Sequence, residues 1–183
     1  MKLALFLCLS LLPQGAAFFS SLGSRQASTA SSKGTPSVSS TARVQRKYQN
    51  WTWKSKYGEH GINYRIEGPV DGPPILLTHG FGANLNHFRF NIPSLVQAGY
   101  RVYAMDLLGF GASDKPSNVP YSVELFTQQM IDFIGSQMDS EQPWILAGNS
   151  IGGLCSLNVA AKRERDIQFP FDISTIVLFN SGK

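Results

Sequence analysis

The segment around Ser150 constrains the fold of this chain more than any other. A short apolar run at residues 144–147 is followed by Gly-Asn-Ser-Ile-Gly-Gly, and small and apolar residues continue to about Lys162. This order predicts a buried strand, a tight turn and a helix. The glycines around Ser150 let strand and helix pass closely because they carry no Cβ. The pattern therefore predicts a serine presented at the end of a strand, as a nucleophilic hydroxyl requires.

Apolar runs with the composition of buried parallel strands recur along the chain. They cover residues 75–78, 102–105, 144–147 and 173–179. Helix-like segments separate them, so the sequence predicts an α/β fold with a mostly parallel sheet and flanking helices. The last run, 173–179, is expected to lie at an unpaired edge of that sheet.

A pair of strands and a further helix complete the predicted secondary structure. Residues 51–54 and 62–67 alternate apolar with polar side chains around Gly58 and Gly61, which predicts an antiparallel pair. A helix is expected after Ser122, a suitable N-cap. Its apolar residues recur at helical spacing and should cover the sheet; they are Val123, Phe126, Met130, Ile134 and Met138.

Two backbone amides are candidates for binding an oxyanion beside Ser150. The amide of Ile151 opens the helix and should point to where a tetrahedral oxyanion would form. A second donor is expected in the loop after strand 75–78, where His-Gly-Phe-Gly stands at residues 79–82. The N–H of Phe81 is the candidate in that loop.

For other polar residues near these loops, the family resemblance described below implies structural roles. Asp106 and Asp114 bracket a glycine-rich loop after strand 102–105, on the side of the sheet where ligands bind. His87 is expected to be a rim or packing residue at the start of the helix after the Phe81 loop. His79 precedes the Phe81 loop and is not expected to act as the general base.

Three loop segments occur along the chain in the order 79–82, 106–114 and 148–152. With these segments in that order, the chain resembles the α/β-hydrolase superfamily over about residues 51–182. The chain is similar to serine hydrolases of the AB hydrolase-1 type, to plastid members such as pheophytinase, and to the haloalkane dehalogenase and epoxide hydrolase branch. In that branch the residue at the position of Ser150, in the turn between strand and helix called the nucleophile elbow, is often an aspartate that attacks an alkyl carbon. Ser150 instead implies attack on a carbonyl and an acyl-enzyme, with no metal or organic cofactor.

The resemblance also implies two further catalytic residues, which the family places later in the chain than Ser150. In the family an acid and then a histidine complete the triad after later strands. No histidine follows His87, so we expect a C-terminally truncated domain, the N-terminal two thirds of the fold without the lid and last strands, with the triad acid and histidine beyond Lys183. A serine without its base is a weak nucleophile, and this polypeptide is expected to be essentially inactive.

Two alternatives to an ester-cleaving serine hydrolase stay open at this point. A non-catalytic α/β-hydrolase-like binding module would keep the elbow as scaffold. A cofactor-free perhydrolase or acyltransferase would use the same Ser150 with a different acyl acceptor. Under the hydrolase hypothesis the partner is a small, apolar acyl substrate, while the sequence leaves the oligomeric state undetermined.

The basic balance of the chain comes from its N-terminus. Residues 1–58 contain eight of the 16 Lys and Arg and no acid, so the remainder carries 8 − 12 = −4. The predicted domain is therefore acidic, which argues against nucleic acid as a partner. Cys155 is the only cysteine beyond Cys8, so the sequence predicts neither an internal disulfide nor a cysteine metal site in the domain.

The N-terminus has the composition of two targeting segments. Residues 1–17 carry a lysine, an apolar run and small residues, which predicts a signal peptide too short to span a bilayer. Residues 18–48 are rich in Ser and Thr, with 12 between Ser20 and Thr41, and predict a transit peptide or a disordered linker. The domain is then expected at 49–183. The tandem resembles plastid-directed presequences, the alternative being secretion or an endomembrane lumen.

Overall fold

The computed structural model describes residues 4–8, 48–137, 142–166 and 168–181, the first segment by its backbone. The described strands form one sheet in the order β1-β7-β6-β4-β5-β3-β2. They are β1 (Ala4–Cys8), β2 (Tyr48–Ser55), β3 (Gly58–Glu67), β4 (Pro74–Thr78), β5 (Arg101–Met105), β6 (Trp144–Asn149) and β7 (Ile173–Phe179). β3 pairs antiparallel with β2 on one side and with β5 on the other, and the remaining neighbours pair parallel.

The four predicted central strands are confirmed as β4, β5, β6 and β7, and with them the α/β fold. Every residue of β4 is buried, as expected of a strand covered on both faces. β4 lies between β5 and β6, so each of its sides is hydrogen-bonded to a parallel strand.

Three α-helices and a short 3-10 helix cover the described sheet. They are the 3-10 helix (Leu85–Phe88), α1 (Asn91–Gln97), α2 (Val123–Ser136) and α3 (Ile151–Arg165). Ser122 caps α2 as predicted, its hydroxyl accepting from the N–H of Leu125 at 3.1 Å. Three predicted stripe residues of α2 are buried, while Met138 lies outside the described residues; the three are Phe126, Met130 and Ile134.

The two faces of the sheet hold separate cores. In one core, residues of α2 and α3 pack against the sheet. Its large aromatic side chains include Phe133 of α2, Trp53 of β2 and Trp144 of β6. The other packs the 3-10 helix and α1 against β4 and β5, around Ile75 and Ile92. No helix in the described part of the chain is long and apolar enough to cross a membrane.

The predicted antiparallel pair is confirmed as β2 and β3, although the turn between them is shorter than the spacing of the two glycines suggested. Gly58 lies at the turn with φ +115°, but Gly61 lies inside β3, opposite Thr52. A Cβ at Gly61 would stand 3.3 Å from the side-chain amide of Asn50 and 3.4 Å from the Asp114 carboxylate. Gly61 therefore allows the segments of Asn50 and Asp114 to approach β3 closely and does not mark a bend.

The predicted open edge at β7 was also wrong. β1 pairs parallel with β7, with Ala4 opposite Thr175 and Cys8 opposite Phe179. The apolar N-terminal run therefore satisfies backbone groups at that edge. The signal and transit peptides stay predictions, and most of residues 1–47 lies outside the described residues.

Strand register brings the two key loops together. Thr78, the last residue of β4, pairs with Gly148 near the end of β6. Successive strands lie on opposite sides of β4, since β5 is on one side and β6 on the other. Such a reversal of strand order opens a crevice at the carboxyl ends of the strands, where ligands bind in open α/β sheets. The loops after β4 and β6 border that crevice.

Candidate active site

Ser150 occupies a strained turn between β6 and α3. Its backbone has φ 51° and ψ −117°, a conformation that L-residues rarely adopt and that glycine adopts freely. The surrounding structure holds it there, since the N–H of Ser150 donates to the carbonyl of Phe179 on β7 at 2.8 Å. The side chain is exposed. A serine is thus presented to solvent in a conformation that costs about 1–3 kcal/mol.

Glycines around Ser150 are required by contact with backbone. A Cβ at Gly148 would lie 2.3 Å from backbone atoms of Gly152, and a Cβ at Gly152 would lie 2.3 Å from the carbonyl oxygen of Thr78. Real Cβ atoms do not approach so closely. The three segments pack at a distance that only glycine permits, which explains the glycine pattern around the serine.

Ile151 is the first residue of α3, directly after Ser150. The Ser150 carbonyl accepts from the N–H groups of Gly153 and Leu154 at 3.0 and 3.1 Å, which fixes the first turn of the helix. The N–H groups of a first turn have no partner within the helix and carry the positive end of its dipole. The amide of Ile151 is therefore well located to stabilise negative charge beside Ser150.

The loop after β4 approaches Ser150 through Gly80. A Cβ at Gly80 would lie 3.2 Å from the Cβ of Ser150 and 2.7 Å from the Asn149 side-chain oxygen. Phe81 follows Gly80, so its backbone lies one peptide from this contact. The structure thus brings together the sequence-predicted residues Ser150, Ile151 and Phe81 at one end of the sheet.

Aromatic rings form a ledge next to this loop. The Phe81 side chain is 80% exposed and packs edge to face on Phe110, with ring centroids 5.3 Å apart. Phe110 also contacts Phe126 at 6.0 Å, and Tyr121 lies beyond Phe126 at 6.4 Å. We call Phe81, Phe110, Phe126 and Tyr121 the aromatic ledge. Phe126 is buried, and Phe81, Phe110 and Tyr121 supply the apolar surface on the side of the Phe81 loop.

Asp106 holds two loops of the site in place. Its buried carboxylate accepts from the N–H of Leu85 at 2.6 Å and from the N–H of Ala112 at 2.8 Å. The side-chain amide of Asn63 donates a third bond at 2.8 Å. A Cβ at Gly111 would collide with this carboxylate, so the glycine makes room for it. Asp106 thus organises loop geometry.

Two amide side chains of this network, the buried Gln129 and the half-buried Asn63, were not found from the sequence. Gln129 of α2 accepts from the N–H of Leu108 at 2.9 Å and donates to the carbonyl of Asp106 at 3.2 Å. Asn63 stands at a position of β3 where the alternation predicted an outward polar residue. No local pattern distinguishes a buried amide from an exposed one, because its partners are distant in sequence.

The histidines of the chain do not contact Ser150 in the described residues. His79 is fully buried and bonded to backbone on both ring nitrogens. Burial lowers the pKa of His79, so the ring is neutral at neutral pH. His87 is exposed in the 3-10 helix, and His60 is buried in β3 beside Trp53.

Cys155 lies on α3 and is buried. Burial raises the pKa of its thiol to about 11, against a smaller opposing effect of the Thr127 hydroxyl. The thiol is therefore protonated and unreactive at neutral pH.

Comparison with known proteins identifies the family. Residues 73–181, more than half of the chain, match the model of the family described as alpha/beta hydrolase fold. The chain belongs to this family.

Individual relatives are hydrolases with different reactions in their names. A haloalkane dehalogenase of Mycolicibacterium paratuberculosis is 40% identical over 45% of this chain and 34% of its own length. A protein named Lipase 1 of Psychrobacter immobilis is 32% identical over 65% of this chain and 37% of its own. A probable hydrolytic enzyme of Pseudomonas aeruginosa superposes with a TM-score of 0.62 at 25% identity, over 73% of this chain and 41% of that one. The chain thus spans about a third of these two curated relatives.

Proposed function

We propose that the protein is a serine hydrolase that cleaves an ester or related acyl bond through an acyl-enzyme on Ser150. The observation that carries this proposal is the strained, exposed Ser150 at the start of α3, held against the loop of Gly80. Strain of this kind persists only where the surrounding structure imposes it, and it concentrates at functional sites. A serine, rather than a carboxylate, at this position favours attack on a carbonyl carbon.

The reaction follows from the groups around Ser150. The Ser150 Oγ attacks the acyl carbon, its proton passes to a general base, and the carbonyl oxygen becomes an oxyanion. The amides of Phe81 and Ile151 donate to that oxyanion, a contribution worth about 100-fold or more in rate for each donor. As the oxyanion collapses, the C–O bond to the alcohol breaks, the protonated base gives its proton to the leaving oxygen, and an acyl-enzyme remains, which water then hydrolyses.

The general base of this proposal is not one of the three histidines in the chain. His79 uses both ring nitrogens on backbone groups, and the described structure gives neither His60 nor His87 a bond to Ser150. We therefore expect the 183-residue polypeptide alone to be essentially inactive. Its serine would need an acid and a histidine from outside this sequence.

The substrate we propose is a small molecule with an apolar acyl or alcohol group. The amide of Phe81 would donate to the oxyanion. The ring of the same residue would then lie near the reacting carbonyl. The aromatic ledge continues from that ring through Phe110 to Tyr121. Apolar surface exposed beside a reactive group favours apolar ligands.

The test is labelling with a fluorophosphonate, which reacts with activated serines. The protein expressed from its complete gene is labelled and the adduct mapped by mass spectrometry. We expect an adduct on Ser150 that Ser150→Ala abolishes. Ser94→Ala, which removes an exposed serine of α1, is the matched control and should label normally.

Each outcome of that labelling decides between functions. An adduct on Ser150 together with release of acid from p-nitrophenyl esters supports the hydrolase. Transfer of the acyl group to an acceptor other than water would instead indicate an acyltransferase or perhydrolase. A folded protein that forms no adduct would contradict the enzyme and leave a binding module on this fold.

We also propose that the protein is directed to a plastid. The proposal rests on the apolar segment of residues 1–17 followed by the Ser/Thr-rich, acid-free segment of 18–48. Residues 1–48 fused to a fluorescent protein should reach the plastid of an alga with a secondary plastid, whereas residues 1–17 alone should direct secretion. Secretion of both fusions would refute plastid targeting.

A further inference from the structure

We propose that His79 is the positioning residue that aims the Phe81 amide at the oxyanion site, by fixing the Gly80–Phe81 peptide plane. This inference rests on the proposed function for its catalytic consequence. The hydrogen bonds that support it are independent of that function.

The ring of His79 has one possible tautomer in this network. Its Nε2 lies 3.0 Å from the N–H of Leu107, and an N–H can only donate, so Nε2 is the acceptor and carries no proton. Its Nδ1 lies 2.8 Å from the carbonyl oxygen of Gly80, which can only accept. Nδ1 therefore carries the proton and donates it to Gly80.

That bond determines the direction of the Phe81 N–H. The carbonyl of Gly80 and the N–H of Phe81 belong to one peptide unit, and no described peptide bond is cis. In a trans peptide the two groups point in opposite directions. The Gly80 oxygen is turned towards His79 and also accepts from Ala83 at 3.2 Å. The N–H of Phe81 is therefore directed away from the His79 ring.

The position is specific because the ring is buried and flanked by a second loop. His79 has no exposed surface, and Phe110 packs on it edge to face at 5.7 Å. Leu107, its other partner, follows Asp106, which holds the same loop. His79 thus joins the loop carrying Phe81 to the loop carrying Phe110, and it links the candidate oxyanion donor to the aromatic ledge.

Two variants separate the bonds of the ring. The amide of His79→Asn reaches about as far as Nδ1 and can still donate to Gly80, but it loses the bond to Leu107. The longer side chain of His79→Gln can accept from Leu107 but removes the side-chain donor to the Gly80 carbonyl, which keeps only its bond from Ala83. A merely structural histidine predicts that both variants lose stability and activity alike.

Kinetics on the protein from its complete gene measure the catalytic consequence, with p-nitrophenyl butyrate as substrate. His79→Gln should lower kcat by at least about tenfold, towards the roughly 100-fold cost of a lost oxyanion donor, with little change in KM. His79→Asn should recover most of that loss. Equal kcat values for both variants at equal folded fraction would overturn the proposal.

Nitrogen-15 NMR tests the geometry without requiring activity. We expect the Nδ1–H tautomer of His79 at pH 7, and a Phe81 amide signal that shifts in His79→Gln but stays close to wild type in His79→Asn. An Nε2–H tautomer, or an unchanged Phe81 signal in both variants, would contradict the inference. If the wild type shows the expected signals but never labels at Ser150, the proposed function fails and the geometric inference stands.

Discussion

The turn at Ser150 and the loops beside it are held by different forces. The turn depends on steric fit: Gly148 and Gly152 stand where a Cβ would meet backbone at 2.3 Å. The loops after β4 and β5 depend on buried polar side chains, because Asp106 and His79 satisfy backbone groups of both. One region is fixed by the absence of side chains and the other by their hydrogen bonds.

This difference has consequences for how each region tolerates change. Backbone atoms cannot rotate away from an added methyl group as a flexible side chain can. One such group should therefore displace a strand or helix. A hydrogen-bonded loop loses its bonds one at a time, and a charged or titratable partner makes the loss depend on pH. The elbow should therefore fail abruptly and the loops gradually.

The largest expected effect comes from Gly152→Ala. Its new Cβ would lie 2.3 Å from the Thr78 carbonyl oxygen and 2.7 Å from that of His79, both backbone atoms. We expect the free energy of unfolding to fall by about 3 kcal/mol or more, measured by urea denaturation. The control is Gly135→Ala on α2, where nothing lies within 4 Å of the new Cβ. That variant should gain about 0.5–1 kcal/mol, and equal urea midpoints for the two would refute the steric account.

Asp106→Asn should have the next largest effect. The variant places an NH₂ group either at Oδ1, facing the N–H of Leu85, or at Oδ2, facing the donors of Ala112 and Asn63, so at least one donor loses its acceptor. The expected loss is about 2–3 kcal/mol in the same urea assay. Asp114→Asn is the comparison, since its exposed side chain accepts from the N–H of Gly61 and keeps an oxygen to do so. A loss no larger than that of Asp114→Asn would argue against Asp106 as the organiser of the loops.

Ser150→Gly should stabilise the protein while removing its nucleophile. Glycine adopts φ 51°, ψ −117° without the strain imposed on serine, although it adds freedom to the unfolded chain. The net gain should be about 1 kcal/mol in thermal or urea unfolding. Ser150→Ala keeps a Cβ and therefore the strain, so its stability should stay near wild type. Equal stability of the two variants would mean that the elbow stores no strain.

The smallest expected effect is a dependence of stability on pH that originates in His79. Burial, its largest cause, lowers the pKa of His79 in the folded protein, whereas the unfolded chain binds a proton near pH 6.5. Below that pH the unfolded state holds more protons, so stability should fall as the pH drops from about 6.5 towards the folded pKa. The nearby Asp106 and the Gly80 carbonyl oppose the shift, and His87 adds to it.

Urea titrations between pH 7.5 and 5.5 measure that dependence. His79→Gln should flatten the decline in unfolding free energy, while His87→Gln, which changes an exposed histidine, should retain most of it. A decline of the same slope in His79→Gln would assign the effect to other groups.

Much of the fold could be predicted because it depends on local pattern. The apolar runs of β4 to β7 and the Ser122 cap of α2 are visible as short windows of sequence, and the structure has them there. The three candidate site residues also follow local patterns, and the structure brings Phe81, Ile151 and Ser150 to one end of the sheet. Their chemical roles stay proposals until Ser150 is labelled.

The errors arose where a residue's partner is distant in sequence. Gly61 was expected between the two alternating strands, but it lies in β3, where a Cβ would meet Asn50 and Asp114. The edge of β7 was expected to be open, but it pairs with β1, a strand from the other end of the chain. Neither contact has a signal within a short window.

By itself, the sequence determined that a serine flanked by glycines would join a buried strand to a helix, since β-carbon sterics and apolar periodicity are properties of neighbouring residues. Only the tertiary structure decided what surrounds that serine. The pairing of Thr78 with Gly148 brings the Gly80 loop to it, and the bonds of His79 and Asp106 orient that loop. Apart from the His79–Gly80 bond, these contacts join groups 21 to 70 residues apart, and hydrogen-bond geometry at that separation exists only after the sheet has formed.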